Sequence, residues 1–139
     1  MNREIKFRGQ KVVTKEWVYG SLISTKEHGY AIVQQMSNPI QNGVIQGWCF
    51  GVIPETVGQF TGLTDKNSKE CYEGDLSIIE GNLCEVKFGT FFTCGWDFKI
   101  IGKMGSYNMG DVCRSFDAKG CKDFEVIGNI YENPELLCN

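Results

Sequence analysis

The sequence predicts a mainly β fold, a rolled antiparallel sheet with short helical turns, and three observations carry that prediction. Seventeen glycines make about one residue in eight, against a typical ~7%. The longest glycine-free run is Tyr30 to Asn42, and Pro39 interrupts it. A glycine costs a helix interior about 1 kcal/mol relative to alanine, so long helices have nowhere to form. Apolar and polar residues alternate with period two in several short segments, and polar turn clusters separate those segments at hairpin spacing.

The elements follow in order. Ile5 and Phe7 face one way and Lys6 and Arg8 the other; Trp17, Tyr19, Ser21 and Ile23 resume the alternation, so a hairpin is expected across Gly9 to Lys15. Gly29 to Met36 and Trp48 to Ile53 are short apolar runs. Pro54-Glu55-Thr56-Val57 places a proline and an acid for a single helical turn or a loop, and Gln59 to Leu63 returns to extended structure. Thr64 to Lys69 is polar turn chemistry. Leu76–Ile79 and Leu83–Phe88 flank Glu80-Gly81-Asn82 as a compact hairpin. Phe91 to Ile101 is the longest candidate strand. Residues 102–123 read as a long loop with one strand around Asp111 to Phe116. Phe124 to Tyr131 is the last strand, and Pro134 to Cys138 adds a helical turn.

A chain of 139 residues is one domain, with an N-terminal β region (1–53) expected to pack on a second region (54–139). No apolar run approaches the roughly 20 residues of a membrane span, and the N-terminus has no signal-peptide core. A soluble cytoplasmic domain is expected. The net charge of −3 is uneven: residues 1–50 carry six Lys/Arg against three acids, and residues 51–139 carry eight against fourteen. The acidic body repels phosphate, while Arg3, Lys6, Arg8, Lys11 and Lys15 form either a local basic patch or, more simply, the charges that guard a solvated hairpin edge. Seven cysteines (49, 71, 84, 94, 113, 121, 138) are an odd count with no C-x-x-C pair. Cys84 shares a register with Val86 and Phe88, and Cys94 with Phe92, Trp96, Phe98 and Ile100. Thiols so placed act as small core hydrophobes, so reduced structural cysteines are expected.

Residues 74–89 give the sheet its shape. Gly74-Asp75 opens an apolar strand, a glycine turn follows, and a second strand runs to Gly89, an arrangement used by small SH3-like barrels. Glycine permits an unusual backbone angle at the bend, and the Asp carboxylate accepts hydrogen bonds from turn amides.

Three stretches, read in order, carry a resemblance. They are Pro54-Glu55-Thr56-Val57-Gly58-Gln59-Phe60-Thr61-Gly62-Leu63-Thr64-Asp65-Lys66-Asn67, then Glu70-Cys71-Tyr72-Glu73-Gly74-Asp75, then Phe124 to Leu137 with Gly128-Asn129-Ile130-Tyr131-Glu132 at its centre. With Arg3-Glu4-Ile5-Lys6-Phe7-Arg8 at the start, the chain resembles the YopX family of bacteriophage and prophage proteins over most of its length. Ser68 stands where such proteins often have glycine and Cys71 where they often have an aliphatic residue, and residues 89–123 match no recognisable part of the pattern. The resemblance implies a β-rich fold with SH3-like barrel character and a phage origin, and it implies no reaction. The signature residues Tyr72, Glu73, Gly74, Asp75, Gly128, Asn129, Tyr131 and Glu132 are expected to be structural, since a turn needing glycine and a capping acid has this form. Exposed binding roles are the competing expectation for Asn129 and Glu132.

The usual catalytic constellations are missing from the sequence. His28 is the single histidine, and no Gly-x-Ser-x-Gly elbow accompanies it. Gly102-Lys103 is followed by Met104 rather than Ser or Thr, and Asp97 stands where a phosphate loop has its first glycine. No Gly-x-Gly-x-x-Gly is present, and the spacing of the seventeen carboxylates selects no acid–base pair. No cofactor or metal is implied; a metal would need an unpatterned cluster of Cys, His28 and Asp. The expected function is therefore non-enzymatic: a β-domain that binds an unidentified phage or host macromolecule, or itself as a homo-oligomer, most simply a dimer. The alternative is a nucleic-acid-binding module, with Phe7, Trp17 and Tyr19 stacking bases beside the basic residues. An enzyme with an unrecognised site is the third class.

Overall fold

The computed structural model describes residues 3–27, 29–89, 95–102, 112–115 and 123–137, and of residues 35–41, 45, 46 and 112–115 the backbone alone. Its strands are antiparallel, and among the described residues the only helices are two 3₁₀ turns, Pro54–Thr56 and Pro134–Leu137. The chain divides into two compact units, Met1–Phe60 and Thr61–Asn139. No closed barrel is formed among the described residues; a rolled sheet is what the pairings describe. Among those residues no helix is long and apolar enough to cross a membrane.

In the first unit, β1 (Phe7–Gln10) and β2 (Trp17–Thr25) form the expected hairpin, with Lys15 in the left-handed region at φ 61°. β3 (Gly29–Gln41) and β4 (Val44–Val52) are longer than their apolar runs. β3 continues through Pro39 because the ladder slips between Gln35 and Ile40, where a bulge accommodates a residue that cannot donate. Asn42 and Gly43, both at positive φ, close the hairpin between the paired Gln41 and Val44, the geometry that Asn-Gly favours. β5 (Gly58–Thr64) begins beside β1, where Gln59 and Gly58 pair with Phe7 and Arg8. The sheet curls so that Val52 meets Lys11, with the Val12 N–H donating to Gly51 O at 3.2 Å and the Ile53 N–H to Gln10 O at 2.9 Å. Val18, Ile32 and Val52 form the core, flanked by Phe7, Leu22, Phe50 and Val57.

Two expectations are corrected in this unit. Arg8 is buried, not solvated, and its guanidinium lies 4.6 Å from the Trp17 ring, while Ile5 is exposed. On β2 the core register is Val18 and Leu22; Tyr19, Ser21 and Ile23 point outward. The sequence pattern misled because the aromatic residues sit on the wetter face of the strand. Of the basic residues, Lys6 pairs with Glu4 and lies over Phe60, and Lys11 pairs with Glu16 and lies over Phe50.

In the second unit, β6 (Glu70–Tyr72) flanks the remainder of β5, and a five-stranded sheet has the order β10-β9-β8-β7-β11. Those strands are β7 (Asp75–Ile79), β8 (Asn82–Phe88), β9 (Trp96–Gly102), β10 (Val112–Ser115) and β11 (Glu125–Asn129). Glu80 and Gly81, at φ 49° and 80°, turn β7 into β8 as expected. The core holds Cys71, Cys84, Val86, Phe98, Ile100, Phe124 and Val126, with Phe98 and Phe124 tilted 60° at 5.3 Å. Phe88 keeps the predicted register, opposite Trp96 as Val86 is opposite Phe98, but it is exposed rather than core and meets Trp96 edge-on at 4.9 Å near the end of the strand pair. The longest described strand is β3, not the segment at Phe91–Ile101, of which Trp96–Gly102 forms β9 and residues 91–94 lie outside the described set. His28, Lys103 and Cys94, Cys121 and Cys138 lie outside it too, as does the Cys113 side chain.

Candidate functional site

The signature residues come together in the second unit, where the start of β7 lies against the end of β11. Asn129 pairs with Asp75 and Gly128 with Leu76 across the ladder. Between β6 and β7 the chain bends at Glu73-Gly74. Gly74 is left-handed at φ 83°, and a Cβ there would meet Tyr131 Cε2 at 3.1 Å in addition to the strain of that backbone angle. Its N–H donates to Val86 O at 2.9 Å and its carbonyl accepts from the Ile130 N–H at 3.0 Å. Gly74 thus ties the bend to β8 on one side and to the C-terminal turn on the other.

The Asp75 side chain is almost fully buried, and Oδ2 accepts the Tyr72 N–H at 2.7 Å. Tyr72 is buried with it, and its hydroxyl donates to Glu70 Oε2 at 2.7 Å. Glu73 is half-buried on the bend. At the other end, Asn129 Oδ1 accepts two turn amides, from Tyr131 at 3.0 Å and Glu132 at 2.9 Å, while Asn129 Nδ2 donates to Glu132 Oε2 at 2.8 Å. Asn129 is therefore the buried acceptor of a turn, not an exposed binding residue; the sequence could not distinguish the two because Asx turns and binding asparagines share surroundings of glycine and acid. Glu132 is exposed as a residue, with its carboxylate accepting from Asn129 Nδ2.

Two residues outside the predicted set complete the arrangement. Asn133 Oδ1 accepts the Asn129 N–H at 3.2 Å, and a Cβ on Gly128 would lie 2.2 Å from that oxygen, so position 128 admits only glycine without rearrangement. Asp65 is buried and holds three amides: Oδ1 accepts from Asn67 at 2.8 Å and Lys69 at 2.9 Å, and Oδ2 accepts from Val126 at 3.0 Å. Burial alone raises its pKa, but the amides of Val126, Lys69 and Asn67 and the charge of Lys69 outweigh that and hold the carboxyl below its ordinary 3.8. The available signal was Asp65-Lys66-Asn67, an Asx-turn spacing inside the first matching stretch.

Ser68, on the same turn, is left-handed at φ 64°, which gives a physical reason for glycine at this place in similar proteins. Cys71 lies fully buried in the core, so a thiol fills the place of an aliphatic side chain.

Chemically, this is a fastening. The polar contacts described above run to the protein's own main chain or to one another, and they lock two turns and two strands. Among the described residues no group of three His, Cys, Asp or Glu side chains is placed to hold a metal ion.

Comparison with known proteins agrees with this architecture. The chain is similar to protein EF1440 from Enterococcus faecalis, a crystal structure, with a TM-score of 0.57 at 21% identity, over 98% of this chain and 99% of that one. At that identity the likeness is one of fold. No curated protein matches the chain. The model of the family described as YopX protein matches residues 6–138, which takes in both units and the whole fastening at Gly74 and Asn129. The chain belongs to the YopX family.

Proposed function

We propose that this protein is a phage or prophage accessory protein that acts in the bacterial cytoplasm without catalysis, its β-domain engaging another macromolecule or a second copy of itself. The observation that carries this reading is how the buried polar residues of the fastening are used. Asp65, Asp75 and Asn129 direct their side chains to main-chain amides, so the polar groups most characteristic of the chain build turns. Meanwhile large apolar side chains stand outside, among them Val44, Trp48 and Phe88, each more than half exposed. Surfaces of that kind suit protein contacts.

The test is affinity capture of the tagged full chain from induced lysogens, followed by remixing of each enriched protein in pure form. Direct binding of a phage or host protein, or stable self-association, is expected. A chain that captures nothing and stays monomeric at about 100 micromolar refutes the reading.

The nucleic-acid alternative draws less support. Phe7 packs on the core, Trp17 lies under Arg8, and Lys6 and Lys11 pair with glutamates, which leaves Tyr19 as the exposed ring of the three. Filter binding with single- and double-stranded DNA and RNA at low salt separates the readings: saturable binding by ten-micromolar protein supports the alternative.

A further inference from the structure

We infer that β4 is a homodimerisation edge, which pairs antiparallel with β4 of a second copy about a twofold axis; this rests on the self-associating form of the reading above. β4 is an outer strand with β3 as its ladder partner. Its register against β3 is continuous from Val52 to Gly47. Within an antiparallel ladder, residues alternate between directing both amide groups at the partner strand and directing both away from it. The Gly51 carbonyl points away from β3, because it accepts the Val12 N–H at 3.2 Å. By alternation, Cys49 and Gly47 also direct their N–H and C=O groups outward. Val12 meets Gly51, and among the described residues no such backbone partner is recorded for Cys49 or Gly47.

The side chains along this edge are equally unfinished. Trp48, Phe50 and Val52 share one face of β4, and burial falls off along it: Val52 is 3% exposed, Phe50 is half-buried, and Trp48 is 63% exposed. Across the ladder Ile32 lies opposite Phe50 and is fully buried, whereas Gln34 lies opposite Trp48 and is exposed. The face that is core at Val52 therefore outruns its core at Trp48. Pairing of β2 with β3 ends at Val33, so beyond that point β3 and β4 form a ribbon of two strands. Two-stranded ribbons are marginal in water, and a second ribbon alongside makes four strands.

Charge identifies the occupant. Natural edge strands are guarded by Lys, Glu or inward-pointing charge. Residues 29–54 contain no Asp, Glu, Lys, Arg or His, in a chain that is 22% charged. An edge with no charge of either sign has nothing to offer an oppositely charged partner, and it meets a copy of itself without like-charge repulsion. A twofold antiparallel pairing is self-complementary by construction. One strand pair gives an interface near or below the low end of stable complexes, about 1,200 Å². Association at micromolar concentrations follows.

The experiment is sedimentation equilibrium of the full chain from about 2 to 200 micromolar, for the wild type, Cys49→Pro and Trp48→Lys. Proline at 49 removes an outward N–H and leaves the ladder to β3 intact; lysine at the exposed position 48 places like charges near the axis. Circular dichroism and melting confirm that each variant is folded, and if Cys49→Pro does not fold, Trp48→Lys alone decides. A monomer–dimer equilibrium in the wild type, weakened at least tenfold in the folded variants, is expected. A wild-type dimer that folded variants leave unchanged overturns the assignment to β4 while self-association stands. A single wild-type species near 15.6 kDa overturns the dimer, and the capture experiment then decides whether binding to another macromolecule survives.

Discussion

Replacing Asp65 with alanine removes the acceptor of three main-chain amides at once, and their surroundings set the loss. Asn67 and Lys69 are exposed, so water takes over their N–H groups, at about 0.5–1 kcal/mol each. Val126 is 7% exposed and its N–H has no such recourse; losing a hydrogen bond to a carboxylate and stranding the donor costs about 1.5–3 kcal/mol. The expected loss is about 3 kcal/mol, which lowers a urea midpoint by roughly 1–2 M at a typical slope. Asp65→Asn keeps an acceptor for the turn but loses charge assistance and risks turning its NH2 toward Val126, so it should lose about half as much. The pH dependence supplies a second reading. The folded carboxyl lies below its unfolded value near 3.9, so the unfolded chain takes up the proton first as pH falls. The stabilisation is complete above about pH 5 and is lost as pH falls through the folded pKa. The gap in stability between wild type and Asp65→Asn should therefore narrow from pH 6 to pH 3. Val126 amide exchange, read by NMR, should quicken in both variants. A loss below about 1 kcal/mol for Asp65→Ala, or a gap that ignores pH, refutes the account.

Four further outcomes are expected. Ser68→Gly relieves a left-handed serine and should stabilise the fold by about 0.5–1 kcal/mol after the added chain entropy, read as a raised urea midpoint. Gly74→Ala combines strained φ with a 3.1 Å contact to Tyr131 and should lose about 2 kcal/mol or more in the same assay, with Tyr131 NMR shifts displaced. Ser77 Oγ is buried with no hydrogen-bond partner among the described residues, so Ser77→Ala should be neutral or stabilising by about 1 kcal/mol, as read by thermal melting. A thiol assay under denaturing, non-reducing conditions should count close to seven cysteines; in the native protein Cys49 should react well before the buried Cys71 and Cys84.

The strands were legible where one residue pattern had one physical meaning. Glu80-Gly81 between two apolar runs reads as a hairpin turn and forms one, and of the helical turn or loop that Pro54-Glu55-Thr56 allows, the chain takes the 3₁₀ turn. Register was harder. On β2 the alternation was plain, yet which face is core depends on partners distant in sequence: Val18 meets Ile32 and Val52, while Tyr19 meets solvent. Arg8 shows the same limit, because a guanidinium laid against Trp17 is a tertiary arrangement with no local signature. At β3 and β4 the missed signal was local: Asn42-Gly43 states the turn outright, and the bulge lets the strand pass Pro39.

The fastening was half legible, and the half that was missed explains why its residues resemble a binding motif. Gly74-Asp75 could be assigned as a bend with an amide-accepting acid from glycine's backbone freedom and aspartate's reach. Asp65 shows only its Asx-turn spacing in the sequence and Asn133 shows nothing, because their importance lies in what they meet: Val126, 61 residues onward, and the backbone at Gly128, respectively. A short polar residue that caps a turn and one that grips a ligand are chosen by the same hydrogen-bonding chemistry, so identity alone does not separate them. Burial and the direction of the acceptor do. For Asp65, Asp75 and Asn129 both point inward to the chain's own amides. The search for what this protein touches therefore moves from its signature to the uncharged strands that the signature never mentioned.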